Sequence, residues 1–159
     1  MSDSKDRKVR VRIGHVRFTV RDLEHAIGFY SGILNLRLIE RVGGKFAFLS
    51  GSDSHHDVAL QLADVDSPGP APHATGIDHV AFEVQGKKEF ARAFKAAAEA
   101  GVEVTTIDNG ISWSMYFADP EGNRLELFCD NRARPGGRDL WRGQARDLPP
   151  EEILAEPTD

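Results

Sequence analysis

Apolar and polar positions along this chain follow two periods, and the period changes at regular places. Across residues 9–20 β-branched and polar residues alternate, which predicts a strand. In its second half Val16, Phe18 and Val20 share one face, and His15, Arg17 and Thr19 share the other. Asp22 is then placed to cap a helix whose apolar side is Leu23, Ala26, Ile27, Tyr30, Ile33 and Leu34. Three short strands are predicted next, at 36–41, 45–49 and 58–62, with Gly43-Gly44 and the polar run 51–54 as the turns.

After a segment rich in proline at 66–73 the pattern starts again. Residues 77–84 alternate, with His79, Ala81 and Glu83 on one face and Val80, Phe82 and Val84 on the other. An alanine-rich helix is predicted over 87–100, with Phe90, Phe94 and Ala97 on its apolar side and Gly101 closing it. Strands are predicted at 102–107, 112–117 and 124–129, with a tight turn at Asp119-Pro120-Glu121-Gly122-Asn123. Ile13-Gly14-His15-Val16 answers Ile77-Asp78-His79-Val80, and Leu60-Gln61-Leu62 answers Leu125-Glu126-Leu127. The chain is therefore an internal repeat of a βαβββ unit, in which two similar modules bury a shared face. The expected division is module one at 9–64, a linker at 65–75, module two at 76–130 and a C-terminal arm at 131–159. The arm carries Arg132, Arg134, Arg138, Arg142 and Arg146, with Leu140, Trp141 and Leu148 as its apolar anchors.

Composition narrows the classes. Apolar residues make up 40% and charged residues 28% of the 159, which describes an ordinary globular protein. A formal net charge of −5 gives no reason to expect nucleic acid or an anionic membrane as partner. The single cysteine, Cys129, fits a reducing, cytoplasmic compartment, and residues 1–8 are too polar for a secretion signal.

The chemistry sits on the two repeated histidines. Each lies opposite the Val/Phe/Val stripe of its strand, on a face that would line a cleft between modules. Glu126 alternates with Leu125 and Leu127, and a carboxylate there is costly to bury unless something positive meets it. His15, His79 and Glu126 form a set of two histidines and one carboxylate. Such a set suits iron(II) or manganese(II) with positions left open for other ligands.

These residues resemble the vicinal-oxygen-chelate superfamily: glyoxalase I, bleomycin-resistance proteins, fosfomycin-resistance enzymes and type I extradiol dioxygenases. The resemblance covers residues 12–130 and includes Met115-Tyr116-Phe117-Ala118-Asp119-Pro120-Glu121-Gly122-Asn123-Arg124-Leu125-Glu126. It implies an α+β fold in which two βαβββ modules, in pseudo-twofold repeat, form a cupped mixed β-sheet around a metal site, helices outside. Glyoxalase-like members use a second carboxylate ligand where this chain has Gln61. Extradiol enzymes use three ligands, and His15, His79 and Glu126 stand in those places.

By the same resemblance His56 matches the extradiol acid/base histidine, and Tyr116 matches the active-site tyrosine. Asn109 stands where the extradiol signature has a further histidine, and asparagine donates a hydrogen bond but cannot shuttle a proton near pH 7. The implied activity is extradiol ring cleavage of a catechol-like diol with O2, with iron(II) or manganese(II) as cofactor. Glyoxalase-like isomerase, lyase or transferase chemistry, and plain small-molecule binding, are the alternatives. Trp113 is expected either in the core or as a wall for a planar substrate, and a homodimer is expected from the arm and from the habit of small relatives.

Overall fold

The computed structural model describes residues 11–64, 66–71 and 74–155. The expected tail at 1–8, the strand start at 9–10, linker residues 65, 72 and 73, and the arm's end at 156–159 lie outside the described residues.

The first sheet is built from β1 (Val16–Val20), β2 (Arg37–Val42), β3 (Phe46–Ser50) and β4 (Val58–Leu62), in the order β1-β4-β3-β2. β1 runs parallel to β4, and the other pairs are antiparallel. Helix α1 (Leu23–Leu34) makes the crossover. Asp22 caps it by accepting from the His25 amide at 2.9 Å, satisfying one of the donors that a helix start leaves open.

The second sheet repeats this plan with β5 (Val80–Glu83), β6 (Thr105–Asp108), β7 (Ser112–Ala118) and β8 (Arg124–Asp130), and α2 (Lys87–Glu99) as crossover. Its order is β5-β8-β7-β6, with the short β9 (Arg146–Asp147) added to the edge of β6. The α+β class and the βαβββ order expected from the pattern are both present.

Alternation decides what each sheet buries. Phe18 and Val20 of β1, Leu49 of β3 and Leu60 of β4 turn toward α1, while Met115, Leu125 and Leu127 turn toward α2 and meet Phe90. Both halves join in one apolar cluster. Trp113 belongs to it, 2% exposed and edge-on to Phe90 with centroids 6.0 Å apart, so it is a core residue and not a substrate wall.

Several strands start later than the pattern predicts, among them β6, which begins at Thr105 and not at 102, and the first strand of each repeat. β1 begins at Val16 and β5 at Val80, because the ladders begin at Val16–Val58 and Val80–Leu125. Upstream of those pairs β4 and β8 give way to turns, so residues 11–15 and 77–79 have no ladder partner in either sheet. His15 and His79 therefore occupy equivalent places, one residue before the first rung.

The arm is anchored differently from the expectation. Leu148 is buried, and its backbone exchanges bonds with Thr106, but Leu140 and Trp141 are 61% and 51% exposed. Ile153 of α3 (Pro150–Leu154) is the second buried anchor. No described helix is long and apolar enough to cross a membrane.

Candidate metal and substrate site

On each sheet the face away from the helix carries the polar set. On β8 Glu126 pairs in register with Tyr116 of β7 and Ala81 of β5. His79 Nε2 lies 3.0 Å from Glu126 Oε2, and the Tyr116 hydroxyl donates to Glu126 Oε1 at 3.0 Å. The His79 and Tyr116 rings meet edge-on with centroids 5.5 Å apart. These three sequence-selected residues are thus in mutual contact.

A second layer holds His79. Asp78 Oδ2 is 2.7 Å from His79 Nδ1, so the imidazole is held between two carboxylates, Asp78 at Nδ1 and Glu126 at Nε2. Asp78 also accepts from Arg124, whose guanidinium lies 5.0 Å from the Tyr116 ring centroid. The bond to His79 is the main cause holding the Asp78 carboxyl below its ordinary range, with Arg124 adding to it. Burial raises the Tyr116 hydroxyl above its ordinary range, and the bond to Glu126 adds to that, so it remains a proton donor. The reading from sequence missed Asp78 and Arg124; the only signal was an acid directly before the repeated histidine.

Asn109 lies at the turn between β6 and β7. Its side-chain amide reaches Ser114 Oγ at 3.2 Å and Ser112 Oγ at 3.4 Å. Ser114 is fully buried, bonds the Ser112 hydroxyl, and shares its face of β7 with Tyr116. A polar row thus runs from Asn109 through Ser114 and Tyr116 to Glu126 and His79.

His15 and His56 form a separate group. Their ring centroids are 4.5 Å apart, and Phe48 packs 4.9 Å from His56. His55 contacts His56 through Nδ1 at 2.9 Å and Glu40 through Nε2 at 3.1 Å. Burial, then the neighbouring charges of His15 and His55, lower the His56 pKa and favour the neutral ring. The turn before β4 is held by Asp57, which accepts from the amides of Gly51 and Ser52 and from the hydroxyls of Ser50 and Ser52.

His15 and His79 border the same cavity, of about 760 Å³, together with Arg17, Asp78 and Arg124. Within the chain they do not close on one point. Among the described residues no three His, Cys, Asp or Glu side chains stand close enough together to hold a metal ion. The His79–Glu126 pair nevertheless fits one. Ligands bound at about 2.1 Å in adjacent positions stand about 3 Å apart, which is the separation seen, and the Nδ1 of His79 is already held.

The model of the Glyoxalase/Bleomycin resistance protein/Dioxygenase superfamily matches residues 12–127. The chain is 26% identical over 130 residues to the catechol-2,3-dioxygenase of Bacillus subtilis (strain 168). That match covers 82% of this chain and 44% of the relative, so the chain spans less than half of that enzyme. It is 28% identical to the glutathione transferase FosA of Serratia marcescens, covering 76% of this chain and 82% of the relative. A solved glyoxylase/bleomycin resistance protein/dioxygenase domain of Frankia sp. EAN1pec superposes with a TM-score of 0.66. It is 24% identical, covers 77% of this chain and 99% of that domain, and shows the shared fold.

Proposed function

The chain belongs to the glyoxalase/bleomycin resistance protein/dioxygenase superfamily, whose members are typically dependent on a divalent metal, and from that premise we propose an iron(II)-dependent ring-cleavage dioxygenase acting on a catechol-like diol with O2. One observation carries the reading: His79, Glu126 and Tyr116 converge on one face of the second sheet, with Asp78 orienting the histidine from behind. His79 and Glu126 are two of the metal ligands and His15 is the third. Manganese(II) suits the same donors. Gln61 stands where a fourth, carboxylate ligand would be needed for glyoxalase-like chemistry, and it is neutral.

The bound ion supplies Lewis acidity and redox chemistry toward the substrate oxygens. The rest falls to the chain's own groups. His56, kept neutral by its surroundings, accepts a proton from a substrate hydroxyl at a ring nitrogen. Tyr116 and Asn109 donate hydrogen bonds along the wall set by Ser114. Phe48 packs against the His56 ring and gives it an apolar side.

His15 reaches the pair from a second copy of the chain. Val11, Ile13 and Ile77, each more than four-fifths exposed, flank the two histidines and give the second copy an apolar surface. A homodimer is therefore part of the proposal, as is a cytoplasmic location.

The activity is tested by loading the protein with iron(II) without oxygen, then adding a panel of catechols in air. A yellow ring-fission product is expected, and metal-loaded protein that makes none sinks the reading. Assembly is tested by mixing His15→Ala with Glu126→Gln. Each is expected inactive, and the mixture is expected to recover activity, because a mixed dimer keeps one intact site.

A further inference from the structure

A second cavity lies on the far side of module two from His79. It measures about 260 Å³ and opens between the C-terminal arm, the amino end of α2 and the β6–β7 turn. Four cationic side chains border it, Lys87, Arg134, Arg138 and Arg146, against two carboxylates, Asp108 and Glu152. This balance occurs in a chain whose net charge is −5.

The carboxylates are already engaged. Arg146 takes Glu152 through both oxygens, at 2.7 and 2.9 Å, and Asp108 Oδ2 at 2.7 Å. Asp108 Oδ1 accepts from the Gly110 amide at 2.7 Å. Arg134 and Arg138 have no ion pair with a carboxylate among the described residues. Arg138 is held instead by the neutral amide of Gln144, and its stem crosses Gly110, where a side chain would meet it. Arg134 lies against the backbone of Gly86, the N-cap of α2, which offers no capping side chain. Lys87 sits 3.6 Å over the Trp113 ring, which closes the floor.

We infer that this cavity binds a small phosphate group, as the free anion or as a phosphate monoester. Two guanidinium forks reach it from separate turns of the arm, and Lys87, the first residue of α2, borders it from the other side. Donors converging from different directions suit a tetrahedral dianion better than a planar carboxylate, which a single fork satisfies. The site is independent of the proposed metal chemistry. It is joined to Asn109 through one short turn: the Arg138 amide donates to the Gly110 carbonyl at 3.2 Å, and Gly110 follows Asn109. An anion that draws Arg134 and Arg138 together therefore also fixes the turn that carries Asn109.

The test is a titration of the metal-stripped full chain with inorganic phosphate at constant ionic strength. Trp113 fluorescence is read in a Trp141→Phe background, with calorimetry beside it. One saturable site is expected. Arg134→Gln and Arg138→Gln should each weaken phosphate by about tenfold, the worth of one charge-assisted hydrogen bond. Arg132→Gln removes the same charge from the same arm, but at a residue paired with Asp130, and should leave affinity within about twofold. Tighter binding of glycerol phosphate identifies an ester ligand, and tighter binding of inorganic phosphate identifies the free anion. No saturable response, or equal weakening by Arg132→Gln, overturns the site. All three arginines are exposed, and unchanged melting curves keep loss of binding separate from loss of fold.

Discussion

The Tyr30 hydroxyl donates to Asp119 Oδ2 at 2.9 Å, tying the middle of α1 to the turn between β7 and β8. Tyr30 is fully buried and Asp119 nearly so. Asp119 also accepts from the amides of Glu121 and Asn123 and from the Asn123 side chain, so one carboxylate organises the turn and fastens it to the other repeat. Burial, and then the carboxylate beside it, push the Tyr30 hydroxyl far above its ordinary range, so it donates at every pH the fold survives.

Tyr30→Phe keeps the ring packing against Phe18 and Phe29 and removes only this bond. The expected loss is about 1.5–3 kcal/mol, since the acceptor is charged and stays buried. Urea unfolding measures it, and a change below about 0.5 kcal/mol would show that the two repeats do not depend on this link.

Asp78 is expected to set metal affinity without touching the metal. Asp78→Asn still reaches Arg124, but it no longer offers His79 Nδ1 a charged acceptor. Affinity for manganese(II) should fall about 10- to 100-fold, the usual effect of losing a carboxylate behind a ligating histidine. Calorimetry with manganese(II) reads the change, and an unchanged constant would place the His79 orientation elsewhere.

Much of this layout was legible along the chain, and the failures have physical causes. Period-two alternation gave the helix-facing side of the first strand of each repeat and of β8, because Phe18, Val20, Leu125 and Leu127 have nowhere else to go. Both helices were placed from their caps and apolar spacing, and α1 starts at the predicted cap. The strand starts were misjudged because β-branched residues favour a strand whether or not a neighbour exists to pair with it. Val11 and Ile13 have no such neighbour among the described residues. Leu140 and Trp141 have no periodicity to reveal whether they face the domain or a partner, and on this chain they are exposed. The acidic partner of His79 is a local contact between adjacent residues, which alternation places on opposite faces. It exists because His79 lies ahead of the ladder, outside the pleat.

Stability is expected to fall in acid through Asp57. Burial pulls its pKa upward, but the bonds from Ser52, Gly51 and Ser50 outweigh this and leave it below the ordinary 3.8. A carboxyl depressed in the folded state stabilises above its unfolded value, and that contribution is lost as pH falls through the folded value. Wild-type protein should therefore lose stability from about pH 4 downward, and Asp57→Asn should be less stable at pH 7 with a flatter acid limb. Urea midpoints at pH 7, 4 and 3 give the comparison. Parallel curves would remove Asp57 from the acid response.

Asn109 is the sharpest test of how the cup works. Its amide bonds two serine hydroxyls and stands in a polar row that leads through Ser114 to Tyr116. An amide can orient a substrate oxygen, but it cannot exchange a proton near neutrality. Asn109→His places an imidazole, with an ordinary pKa near 6.5, at the same turn, still within reach of Ser114. If ring cleavage is limited by proton delivery from this wall, the variant should speed product formation at pH 7 by about 100-fold. Its rate should also acquire a pH dependence that the parent lacks. Asn109→Ala should slow the parent, because the wall then loses its amide donor and Ser114 keeps only Ser112 as a hydroxyl partner. Should Asn109→His be slower than the parent across pH 6–8, the amide itself is the group the reaction uses, and a second proton donor at this position is excluded.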